Sequence, residues 1–167
     1  MKRVLSTVCC LALCSLPALA QKAASMTDQQ FVDFAAQTDM VEANLGQLAD
    51  SAASSDEVKS YGQMLVTDHT NDYHNLWDAA QKANLNVPTA IDSKHNKAMI
   101  DPFQKLKDKA FDRKYAQEMV AGHTKAIAVY TKEAAAAKDP GLRSYAEQTL
   151  PTLKKHLSDA KALGKAK

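Results

Sequence analysis

The chain has 167 residues, with 21 basic and 19 acidic side chains, five histidines and three cysteines. Only five glycines, set among abundant alanine, leucine and lysine, favour helix, and no stretch reads as a strand. Near-balanced charge, with no arginine cluster interleaved with aromatics, argues against a nucleic-acid-binding surface.

The first element is a leader. Lys2 and Arg3 precede an apolar run from Val4 to Leu19 that ends in Ala18-Leu19-Ala20. This is the three-part pattern of a cleavable signal peptide, and the run is too short for a comfortable membrane span. The expectation is a signal peptide over 1–20 and a mature single domain over 21–167, with its core at about 26–163. The protein would be exported to the periplasm, with outer-membrane association or secretion as variants, and its partners would be envelope components. Cys9, Cys10 and Cys14 all fall in the leader. The mature chain therefore forms no disulfide and no thiolate metal site. Its charge is uneven: 21–72 carry two basic and nine acidic residues, whereas 94–167 carry sixteen and eight. Either the basic half attracts anionic lipid or polysaccharide, or acidic and basic hairpins face each other in one bundle.

Four long helices follow. Helix A opens with Thr27-Asp-Gln-Gln30, which fits a capping box. Phe31, Phe34, Val41, Leu45, Leu48 and Ala52 share one face, and Glu42 lies on its flank in register with Ala35 and Ala49. Ser54-Ser-Asp-Glu57 reads as a second capping box, opening helix B. The inner row of B is Val58, Gly62, Leu65, His69, Tyr73, Leu76 and Ala80. Residues 85–109 form a long connection in which Met99, Phe103 and Leu106 suggest short helical pieces against the bundle. Helix C spans about Phe111 to Lys138, with Ala116, Val120, His123, Ile127, Tyr130 and Ala134 inward. Asp139-Pro140 caps and opens helix D, whose inner row is Leu142, Ala146, Thr149, Leu153, His156, Ala160 and Leu163. Pro151 is expected to kink D, and Gly164 to end it.

The junction 52–63 resembles 136–147, so the chain reads as two similar hairpins. The predicted fold is all-α, a four-helix bundle of two antiparallel hairpins with a long, partly helical crossover between B and C. Both short turns are expected at the same end. Measured from that end at about 1.5 Å per residue, Glu42, His69, His123 and His156 stand at about 18, 21, 22 and 25 Å. One polar residue per helix at a shared height can build a metal site inside a bundle. Three imidazoles and a carboxylate suit iron, zinc or copper, with Glu118, one turn from His123, as an added ligand. Met64 and Met119 would suit copper(I) but are also ordinary core filler. The competing reading is a buried polar network in which the histidines bond Tyr73, Tyr130, Thr149 or a carboxylate.

Met64-Leu-Val-Thr-Asp-His69, Phe111-Asp-Arg-Lys-Tyr115, Glu118-Met-Val-Ala-Gly-His123 and Leu150-Pro-Thr-Leu-Lys-Lys-His156 together resemble the exported bacterial family catalogued as domain of unknown function 4142. The resemblance covers about 26–163 and implies a ferritin-like bundle with no established activity. The di-iron pattern of ferritin-like proteins needs Glu-x-x-His on two helices. Val66 and Leu153 stand where those glutamates would precede His69 and His156, which argues against oxidase and iron-storage roles. Two functions follow: a transition-metal-binding protein using Glu42, His69, His123 and His156, or a non-enzymatic envelope stress or holdase-like protein with a structural polar core. No Gly-x-Ser-x-Gly or glycine-rich phosphate loop supports a hydrolase.

Overall fold

A computed structural model describes residues 26–164, so the expected signal peptide and the three cysteines lie outside the described residues. The long helices are α1 (Asp28–Ala52), α2 (Asp56–Lys82), α4 (Asp108–Ala136) and α5 (Pro140–Leu163). The crossover holds a one-turn helix α3 (Ser93–His95), a π turn (Asn96–Ile100) and a 3-10 turn (Asp101–Phe103). Among the described residues there is no strand, and no helix is long and apolar enough to cross a membrane.

Local chemistry sets the helix ends. Thr27 and Gln30 form the expected reciprocal cap on α1, at 3.2 Å and 2.9 Å. The cap of α2 falls one residue later than expected: Ser55 Oγ accepts from Val58 N. The expected Ser54–Glu57 box does not form, because Ser54 binds Asp112 instead and Glu57 accepts from Ser55 Oγ. Asn84 ends α2 in the left-handed region (φ 56°), and Leu85 N donates to Ala80 O, a closure that asparagine tolerates. Asp139 caps α5 with Pro140 at its first position. That helix runs unbroken through Pro151, which stands on the exposed face. There the carbonyl left without a partner can be hydrated.

One expectation fails. The two short turns lie at opposite ends of the bundle. Asp112, in the first turns of α4, accepts from Ser54 N, Ser54 Oγ and Ser55 N in the α1–α2 turn. Asp28, at the start of α1, accepts from Lys138 N and Asp139 N in the α4–α5 turn. The direction pattern is up, down, down, up. The crossover climbs the bundle, and α1 fixes its path: Gln29 bonds Asn86, and buried Gln37 bonds Ala90 O and Asp92 N. Ile100 and Phe103 then pack into the upper core.

Within the first hairpin, glycines set the helix spacing. A Cβ on Gly46 would lie 2.5 Å from Gly62 O, and one on Gly62 would lie 2.8 Å from Ala49 Cβ. The apolar interior is split in two. The lower core gathers Phe31, Ala35, Leu76, Tyr130, Leu142 and Leu153. The upper core gathers Leu45, Leu65, Phe103, Phe111, Tyr115 and Met119. Along each long helix the residues between the two cores are polar: Asp39, then His69 and Asp72, then His123, then His156. The inner face of α4 is rotated slightly from expectation, so that Met119, Ala126 and Glu133 are buried while Val120, Ile127 and Ala134 are only partly covered.

Candidate metal centre

The three histidines meet in the polar layer. One ring nitrogen from each of His69, His123 and His156 lies within 4.8 Å of the other two, and the ring centroids are 5.2–5.8 Å apart. All three residues are 1–2 % exposed.

Each ring is held by its other nitrogen. His123 Nδ1 lies 2.9 Å from the carbonyl of Met119, one turn back. A carbonyl only accepts, so Nδ1 carries the hydrogen and Nε2 is bare. His156 Nε2 donates to Asp68 Oδ2 at 2.8 Å, which leaves Nδ1 bare. Those two bare nitrogens face each other at 3.2 Å. Two lone pairs at that distance have no hydrogen to share and repel. A proton on either ring would relieve this, but burial pushes both groups down, His123 to about 3. His69 Nδ1 is 2.9 Å from Asp39 Oδ1. When Asp39 is ionised, His69 Nε2 is bare as well, and it is buried with no partner.

This arrangement fits a cation. Metal–imidazole bonds of about 2.0–2.1 Å place ligating nitrogens about 3.4 Å apart. The His123–His156 pair already lies near that spacing at 3.2 Å, and a ring nitrogen of His69 lies within 4.8 Å of both partners. Hydrogen-bonding the far nitrogen of a ligating imidazole to a carboxylate or carbonyl is how proteins fix its tautomer and orientation. Here Asp39, Asp68 and the Met119 carbonyl hold those positions.

The fourth expected ligand stands apart. Among the described residues, the groups able to hold a metal comprise the three histidines only. The Glu42 carboxyl packs against Gly122, where a Cβ would lie 2.9 Å from Oε1. Glu42 Oε2 is buried and unpartnered. Burial pushes Glu42 up to about 7, with the His69 ring opposing and Glu118 and Asp39 adding to the rise. Glu118 is half-buried and 3.6 Å from Lys114 Nζ. Met119 packs its side chain in the upper core, and Met64 Sδ lies 3.7 Å from Lys155 Nζ.

The tyrosines and threonine considered as histidine partners are engaged elsewhere. Tyr73 donates to Pro88 O, Tyr130 bonds Tyr145, and Thr149 donates to Asp72. Asp68, half-buried beside His69, anchors His156. Asp72 accepts from Tyr145 Oη at 2.7 Å and Thr149 Oγ1 at 2.9 Å. Burial pushes Asp39 well up, Asp72 adding to the rise, and Asp72 is raised in turn, chiefly by burial. The layer thus concentrates carboxyls, and Asp39 Oδ2 and Glu42 Oε2 are buried in it without a partner.

A cleft of about 310 Å³ between α2 and α5 reaches this group from outside. Buried His69, Leu153 and His156 line it together with the more exposed Asp68, Asp72 and Thr152.

The sequence model of the family described as "Domain of unknown function (DUF4142)" matches residues 14–163. Among curated proteins none matches. Among solved structures, CopM in the Cu(II)-bound form is similar at a TM-score of 0.69 and 15 % identity, over 85 % of this chain and 98 % of that one. CopM in the Ag-bound form is similar at 0.64 and 16 %, over 83 % and 95 %. At these identities the likeness is one of fold.

Proposed function

We propose that this chain, which belongs to the DUF4142 family, binds a single transition-metal ion at the waist of its bundle. The ligands are His69 Nε2, His123 Nε2 and His156 Nδ1. One observation carries the reading: the bare nitrogens of His123 and His156 face each other at 3.2 Å while their opposite nitrogens are anchored to acceptors. A purely structural network would put a donor opposite an acceptor there. Glu42 supplies negative charge from just outside the group, and Glu118 plays no direct part.

Copper is the first choice over iron or zinc. Nitrogen sites bind Cu(II) more tightly than the other divalent first-row ions, and the fold is shared with Cu(II)- and Ag-bound forms of CopM. Asp39, Asp68, Asp72 and Glu42 offset the charge that a divalent ion brings into a buried layer. We assign no reaction to the site. The leader pattern supports binding in the periplasm.

The test is titration of tag-free protein with Cu(II), followed by calorimetry and electron paramagnetic resonance. One equivalent should bind with nitrogen hyperfine structure. His69→Ala and His156→Ala should each weaken binding at least 100-fold. Glu42→Gln should change it by about tenfold or less, below the roughly 10–100-fold loss typical of groups hydrogen-bonded to metal ligands. Equal, substoichiometric copper in the parent and both alanine variants would defeat the proposal.

A further inference from the structure

A site buried this deeply needs a way in. From the α2–α5 cleft we infer that cations reach the histidines between Asp68 and Thr152, and that Asp68 is the carboxylate that first captures them. This inference rests on the binding proposed above.

The cleft is the described depression that touches the group, and it contacts two of the three rings. Its wall holds two carboxylates, with Asn71, Asn75, Gln148 and Thr149 supplying further polar atoms. Those are hard, oxygen-rich partners that hold a hydrated divalent ion loosely. Its lining includes His69, which is 2 % exposed and whose Nε2 has no partner. An oxygen-lined outer chamber thus leads to unpaired nitrogen.

Asp68 is suited to the transfer. Its side chain is 36 % exposed, so it meets solvent, while Oδ2 accepts from His156 Nε2. One carboxylate therefore touches both the incoming ion and a ring that will ligate it. The second depression between these helices, lined by Glu57, Tyr61, Met64 and Asp159, contains none of the three histidines.

Trp77, the chain's one tryptophan, stands eight residues beyond His69 on α2, about 12 Å along the axis. Bound Cu(II) should quench it, which gives a signal in the unmodified protein. Stopped-flow mixing with Cu(II) then measures loading directly. Thr152→Phe narrows the outer cleft from an exposed position, and Asp68→Asn removes the charge while keeping an acceptor for His156. Each should slow loading about tenfold, the scale on which charged clefts alter on-rates, and both should still reach one equivalent. Asp50→Asn, on α1 and outside the cleft, should load at the parental rate. If the parent binds one equivalent and both cleft variants load within twofold of it, the route is wrong and the binding reading stands. If the parent takes up no copper, both fall.

Discussion

Glu42 shows what the polar layer costs at the scale of one side chain. Burial lifts it from 4.5 to about 7. Between those values the folded chain keeps a proton that the unfolded chain has lost, so stability falls as pH rises through that window and levels off above it. The linkage amounts to about 3 kcal/mol. In the presence of a chelator, Glu42→Gln should therefore be more stable than the parent at pH 8 by up to that order, and equal to it at pH 4. Urea midpoints at the two pH values check this, and a gain of the same size at both would contradict it. The histidines of this layer are legible in the sequence because each occupies an apolar slot of its row. Their anchors are less so. Ala35, Asp39, Glu42, Gly46 and Ala49 step by four and three, so the signal for Asp39 is present, yet apolar periodicity alone passes over an aspartate. On α2 the inner row takes in Asp72 beside the half-buried Tyr73, and no spacing rule tells that Asp68 reaches across to another helix.

At the scale of elements, α1 and α2 meet through backbone at Gly46 and Gly62. Alanine would ordinarily favour a helix by about 1 kcal/mol over glycine. A Cβ at Gly46 would instead lie 2.5 Å from Gly62 O and 2.9 Å from Val66 Cγ2. The backbone oxygen cannot rotate away, so the helices must separate. Overpacking of about 1–3 kcal/mol outweighs the gain in propensity, and Gly46→Ala should lower stability by about 1–2 kcal/mol. Chemical denaturation measures it, and an unchanged or raised midpoint would show that the interface can open without cost. Helix starts are well marked in the sequence, since Thr27 and Asp139 cap where their spacing to Gln30 and Pro140 predicts. The shift from Ser54 to Ser55 is a tertiary effect, because Asp112 arrives from another helix and takes the first serine.

The whole molecule corrects the direction of the second hairpin. A turn motif encodes an antiparallel pair but not which way that pair is laid on the first, and the crossover alone decides this. Gln29 and Gln37 guide that segment upward along α1, by contacts 53–57 residues apart in sequence. The expected alignment of the histidines nonetheless survives the reversal. His69 is thirteen residues from either end of α2, and His123 is fifteen and thirteen residues from the ends of α4. Residues near mid-helix keep their height when the rod is turned over, and His156 moves with His123 because both lie in the hairpin that turns. The fold class was therefore readable from periodicity, whereas the topology needed contacts distant in sequence.

The divided interior has a thermodynamic consequence. A girdle of buried polar groups, several of them without partners, leaves the two hydrophobic halves weakly joined, so either end can fray without the other. An ion riveting three of the four rods at that girdle would make them melt as one. Amide exchange should then show distinct opening free energies for the Phe31–Tyr130 end and the Phe103–Tyr115 end of the chelated protein, converging on a single value with one equivalent of copper.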